Sequence, residues 1–67
     1  MTDVVIRPKW HSTREVAAML GYGLSKTKML IKTGEIRSVK DGGYRRIPPE
    51  WVDEYIARKV AESESGA

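Results

Sequence analysis

Apolar residues recur along this chain with two different periods, and each change of period marks a change of element. Over residues 13–20, Val16, Ala17, Met19 and Leu20 fall on one side of a helix. Ser12-Thr13-Arg14-Glu15 opens it as a capping box. The Ser12 hydroxyl can accept from the Glu15 N–H while the Glu15 carboxylate reaches back to the Ser12 N–H. Gly21 ends the helix, and Gly21-Tyr22-Gly23 leaves room only for a tight turn. A second helix is predicted over residues 24–33, with Leu30, Ile31 and Thr27 inward and Ser25, Lys26, Lys28 and Lys32 polar. Gly34 stops it.

The period then falls to two. Residues 35–39 alternate, as do 44–47, and Lys40-Asp41-Gly42-Gly43 between them is a hairpin signal. Pro48-Pro49-Glu50 closes the second strand and opens a third helix, because Pro suits a first helical turn. Trp51, Val52, Tyr55 and Ile56 form its apolar stripe. The predicted core draws Val16, Ala17, Leu20 and Tyr22 from the first part of the chain. Leu30, Ile31 and Ile36 come from the middle, and Ile47, Trp51, Val52, Tyr55 and Ile56 from the end. At the N-terminus, Val4-Val5-Ile6 reads as extended chain interrupted by Pro8, either a frayed end or an edge strand for the hairpin. Beyond Lys59 the residues are small and polar and predict a disordered tail. The expected organisation is an extended arm over 1–11, one domain over 12–59 and a tail over 60–67.

Length and composition narrow the chemistry. At 67 residues the chain holds one domain with a thin stability margin. With Cys 0 and His 1, it can build neither a disulfide framework nor a Cys/His zinc site, and no metal or cofactor is expected. No apolar run approaches a membrane span and residues 1–10 lack the apolar stretch of a signal peptide, so a cytoplasmic location is expected. Met1-Thr2-Asp3 reads as a native start, which suggests a whole small protein. The net charge of +3 hides an asymmetry. Residues 1–47 carry ten Lys/Arg against four Asp/Glu, while residues 48–67 carry two against five. A basic body with an acidic end implies a polyanion-binding surface on one side of the fold.

The element order completes the picture: a mostly α fold with a β-hairpin, in the layout of a winged helix-turn-helix. Two helices crossing steeply need a small residue at closest approach, and Ala17 supplies it. Gly21 tolerates the reversal. In this motif the second helix enters the DNA major groove and presents its N-terminal residues. Gly23, Ser25, Lys26, Lys28, Met29 and Lys32 are therefore the candidate DNA contacts of a recognition helix. Ser25 and Lys26 are read as base or phosphate ligands, Lys28 as a ligand of phosphate or guanine, and backbone N–H groups near Gly23 as phosphate donors. Lys32 also suits a helix C-terminus without any ligand. Lys40, Gly42, Gly43, Tyr44, Arg45 and Arg46 are the candidate contacts of the wing. A glycine tip lets backbone approach closely, and arginine suits a narrow minor groove. Alternation puts Arg45 and Arg46 on opposite faces, with Arg46 on the face of Tyr44.

Residues 12–56 resemble the excisionase-type helix-turn-helix family, relatives of the MerR-like winged helices. Glu15-Val16-Ala17-Ala18-Met19-Leu20-Gly21, then Leu30-Ile31-Lys32-Thr33-Gly34-Glu35-Ile36, then Arg45-Arg46-Ile47-Pro48 carry the likeness. Two positions depart from it. His11 stands where an aliphatic residue usually precedes the cap, with Trp10 beside it to take over the packing. Thr27 and Lys28 replace a bulky apolar or aromatic pair. The resemblance implies a phage or mobile-element excisionase, also called a recombination directionality factor. Such a protein is an architectural factor in DNA recombination that binds repeated sites, bends the DNA and helps an integrase excise. It also implies a phage integrase as partner and head-to-tail self-association on DNA. The brevity of the chain favours this role over a ligand-sensing regulator.

Two other readings stand beside it: a small transcriptional regulator on the same fold, and a protein-interaction module that uses the acidic third helix and tail. Charge reversal at Lys26 and Lys28 separates the last from the others. No nucleophile–His–acid set, phosphate loop or facing carboxylate pair emerges, so the chain is not expected to be an enzyme.

Overall fold

The computed structural model describes residues 9–65. Its elements run α1 (Thr13–Leu20), α2 (Leu24–Lys32), β1 (Val39–Asp41), β2 (Tyr44–Arg46) and α3 (Pro49–Glu64). This is a winged helix-turn-helix: two short helices across a tight turn, an antiparallel hairpin and a closing helix.

Both ends of α1 follow from local chemistry. Glu15 N–H donates to Ser12 Oγ at 3.1 Å and Ser12 N–H donates to Glu15 Oε1 at 2.9 Å, which completes the capping box. At the other end Gly21 has φ 70. Tyr22 N–H reaches the Ala17 carbonyl at 2.9 Å and Gly21 N–H the Ala18 carbonyl at 3.2 Å, the paired bonds of a Schellman motif. That motif delivers Tyr22 back against α1 and lets α2 start at Leu24.

The hairpin is shorter and shifted relative to the alternation. Its register pairs Val39 with Arg46, Lys40 with Arg45 and Asp41 with Tyr44 around a Gly42-Gly43 tip. Residues 35–37, predicted as strand, form a bend and irregular chain instead. Gly34 sits at φ 83, and Ile36 N–H donates to the Leu30 carbonyl at 3.1 Å. The backbone here satisfies the C-terminus of α2, and period two arises because Ile36 plugs the core. Ile47 leaves the hairpin to form a bridge with His11, donating at 2.9 Å and accepting at 2.7 Å. The last residue of the expected arm is thus fastened to the wing. The segment Val4-Val5-Ile6 and its edge-strand reading lie outside the described residues.

Val16, Ile31, Ile36, Ile47, Val52 and Tyr55 form the core, with Ala17 and Thr27 also buried. Leu20, Tyr22, Leu30 and Trp51 are half-buried against it. Ile56 is a correction: it is 43% exposed. It lies about 100° round the helix from Tyr55, at the margin of the buried stripe. Trp10 is also 43% exposed and does not take over the packing before the cap. In extended chain neighbouring side chains leave opposite faces, and the inward place goes to His11. Finally, α3 runs to Glu64, so residues 60–64 are helical where composition alone predicts a disordered tail. Lys59 pairs with Glu62 at 3.2 Å one turn on, and the Ser65 hydroxyl closes the helix on the Ala61 carbonyl at 2.7 Å. Among the described residues no helix is long and apolar enough to cross a membrane.

Candidate nucleic-acid interface

The faces of α2 are set by its inward residues. Thr27 and Ile31 are buried, and Leu24 and Leu30 are half-buried. Thr27, fully buried, turns its hydroxyl to the Gly23 carbonyl at 3.0 Å, so its own polar atom is not stranded in the core. Rotation by about 100° per residue then puts Ser25, Lys28, Met29 and Lys32 on the outward face and Lys26 on the opposite flank. All five are exposed, Met29 at 59%. Gly23 caps α2 without a side-chain hydrogen bond, leaving first-turn N–H groups open to an outside acceptor.

The two lysines predicted to act together diverge. Lys28 faces the wing across a cleft of about 490 Å³ whose walls include Leu24, Gly43, Tyr44, Arg45 and Arg46. Lys26 folds away, its ammonium 4.1 Å from the ring centroid of Tyr22. Lys32 lines a separate cleft on the other flank of the hairpin, with Arg37, Ser38, Arg45 and Trp51. Lys40 and Gly42 stand exposed at the outer hairpin. Gly42 has φ 61, the left-handed value that two-residue hairpin tips require.

The wing arginines differ in how they are held. The Arg46 guanidinium lies 5.5 Å from the Tyr44 ring and its Nε 3.8 Å from Asp41, so Arg46 and Tyr44 do share a face. Arg45 leans towards the Ser38 hydroxyl at 3.5 Å and borders the clefts on both flanks of the hairpin. Tyr44 is 70% exposed, a large flat surface next to both.

One contributor to the Lys28 cleft is absent from the sequence-based set. Arg14, on the first turn of α1, lines it together with Ser12 and Thr13. Spacing along α1 marks Arg14 only as an exposed position. Its proximity to the wing depends on the His11–Ile47 bridge, which no local pattern announces.

Pairing sorts the cations by side. Around α3, Arg37 meets Glu54 at 3.3 Å, Arg58 meets Glu35 at 3.9 Å and Lys59 meets Glu62 at 3.2 Å. Among the described residues Arg14, Lys26, Lys28, Lys32, Lys40 and Arg45 have no carboxylate partner. Unpaired positive charge therefore gathers on α2, the start of α1 and the wing. Such a surface attracts a polyanion. No cluster of metal-ligating side chains occurs among the described residues.

Comparison with known proteins agrees with this geometry. The sequence model of the helix-turn-helix domain family matches residues 12–60. A probable excisionase of Saccharopolyspora erythraea is 45% identical over 51 residues, covering 76% of this chain and 52% of the relative. The chain thus spans about half the length of that protein. An excisionase of Streptomyces ambofaciens is 34% identical over 58 residues, covering 87% of this chain and 94% of the relative. No solved structure matches the chain at a significant level. With the profile match covering most of the sequence and a full-length relative at this identity, the chain belongs to the excisionase-type helix-turn-helix family.

Proposed function

We propose that this chain is an excisionase: a non-catalytic, cytoplasmic protein that binds repeated sites beside an attachment site, bends the DNA and directs an integrase towards excision. It docks α2 in the major groove and the wing in the adjacent minor groove. The observation that carries this reading is the exposed α2 beside the wing, where Lys26, Lys28 and Lys32 have no carboxylate partner among the described residues while the cations around α3 are paired. The names of the two relatives support the step from DNA binding to excision. Integrase contact and head-to-tail assembly of protomers on DNA complete the proposal. Heterologous contacts of that kind extend along a helical array.

Phosphate neutralisation supplies most of the affinity in such a complex. With about four phosphates contacted, log K falls against log salt with a slope near −3.6. The test is a footprint of the purified protein on attachment-site DNA carrying one or several sites, with the bend read from circularly permuted fragments. Cooperative occupancy and a bend are expected. Strictly independent binding to straight DNA removes the architectural role. DNA binding that survives charge reversal at both Lys26 and Lys28 removes the α2 mechanism.

A further inference from the structure

The cleft between α2 and the wing has a third wall. It is made by the start of α1, and Arg14 stands in it opposite Lys28, Arg45 and Arg46. Four cationic side chains from three elements thus converge on one groove. Of these, only Arg46 has a carboxylate partner among the described residues, Asp41 at 3.8 Å. Like charges gathered this way repel one another, and Asp41 is the one carboxylate of the described residues paired with any of them. The groove is walled largely by long cationic side chains and is set to the side of α2's outward face, which carries Ser25, Met29 and Lys32.

We propose, building on the DNA-binding reading above, that this cleft seats the phosphodiester backbone of one strand and that Arg14 is a phosphate contact. Arg14 and Lys28 fix how deeply the protein sits on the duplex. Sequence is read by the neighbouring outward face of α2. The guanidinium of Arg14 suits the task because its planar fork meets phosphate oxygens with two parallel N–H donors. Contacts of this class set register and orientation without carrying sequence information. The assignment also gives the capping box a second use. By holding the first turn of α1 rigid, it holds the Cα of Arg14 at the edge of the groove.

The experiment uses the full chain and two kinds of probe: a duplex selected as tightest from a random pool, and a set of unrelated duplexes of equal length. Affinity is measured against salt for the wild type, Arg14→Gln, Arg14→Lys and, as a control on the opposite side, Lys59→Gln. Circular dichroism checks that each variant is folded. Loss of one phosphate contact reduces the steepness of log K against log salt by about 0.9. Since K scales as salt to that power, Arg14→Gln is expected to bind about eightfold more weakly at 0.1 M salt, with the gap closing towards 1 M. The loss is expected to be the same on selected and unrelated duplexes. Arg14→Lys keeps most of the slope, and Lys59→Gln keeps all of it. An unchanged slope in a folded Arg14→Gln overturns the proposal, as does a loss confined to the selected duplex. If the wild type binds no duplex with a salt-dependent affinity, the DNA-binding reading itself fails. That outcome is distinct from the failure of Arg14 alone.

Discussion

Two residues at the ends of α1 decide whether the helix-turn-helix forms. Gly21 holds φ 70 where the chain reverses, a left-handed conformation that a Cβ penalises. A Cβ there meets no neighbouring atom, so the cost of Gly21→Ala is purely conformational, about 1–2 kcal/mol, and a denaturant melt measures it. At the other end, Ser12→Ala removes the hydroxyl that accepts the Glu15 N–H, at a cost of about 1 kcal/mol. The Glu15 carboxyl is held below its ordinary 4.5, first because it accepts the Ser12 N–H and then because of the Ser12 hydroxyl. A carboxyl whose folded value is depressed stabilises the fold above its unfolded value, and loses that contribution as pH falls through the folded one. Stability therefore declines on acidification through and below about pH 4.5, and Glu15→Gln flattens that limb of the curve. Tyr55 behaves in the opposite sense. Burial, and then its hydroxyl contact with Tyr22 at 3.3 Å, push its phenol up to about 12. Its contribution is whole below about pH 10 and lost between there and about 12. A tyrosinate absorbance titration is expected to show the late Tyr55 phenol, moving earlier in Tyr22→Phe.

At the scale of elements, α1, α2 and the start of α3 were legible from caps and period alone, because their signals are local. The Ser12/Glu15 box, Gly21, Gly34 and the Pro48-Pro49 pair each fix a boundary within a residue or so of the observed one. Residues 35–37 were not legible. A buried Ile36 between exposed neighbours looks the same whether it sits in a strand or plugs a turn. Only the Leu30 carbonyl accepting its N–H distinguishes the two. The interface was half legible for the same reason. Which residues of α2 face outward follows from helical rotation, but the convergence of Lys28 with the wing, and the divergence of Lys26, depend on contacts distant in sequence. The outward face yields its own prediction. Met29 is 59% exposed between Ser25 and Lys32, a large apolar side chain left mostly uncovered by the described residues. In a major groove it is placed to touch a thymine methyl. Met29→Gln is expected to change preference at one base position by about 1–3 kcal/mol and to leave the salt slope unaltered, as selection from a random duplex pool at two salt concentrations will read.

Across the whole molecule, stability and DNA binding share a small number of residues. Ile47 is fully buried, bridges to His11, follows the wing strand and packs in one cluster with Val52 and Tyr55 of α3. It ties together the first helix's approach, the hairpin and the closing helix. Ile47→Ala removes about 2–5 kcal/mol by lost burial and a residual cavity. At about 0.05–0.15 kcal/mol per residue, a chain of 67 residues has roughly 3–10 kcal/mol to lose, so this one truncation takes the fold to the edge of its stability. The variant is expected to melt well below the wild type and to lose the alignment of Lys28 with the wing when it does. DNA that binds only the folded form pulls the equilibrium back. A duplex at a hundredfold excess over its Kd restores about 2.7 kcal/mol, enough to offset much of the loss. Thermal melts of Ile47→Ala with and without the selected duplex, followed by circular dichroism, test the coupling. If the duplex raises the wild-type midpoint but leaves that of Ile47→Ala unmoved, the folded variant no longer binds DNA and the packing at Ile47 positions the bound surface; if it raises both midpoints equally, that packing serves stability alone.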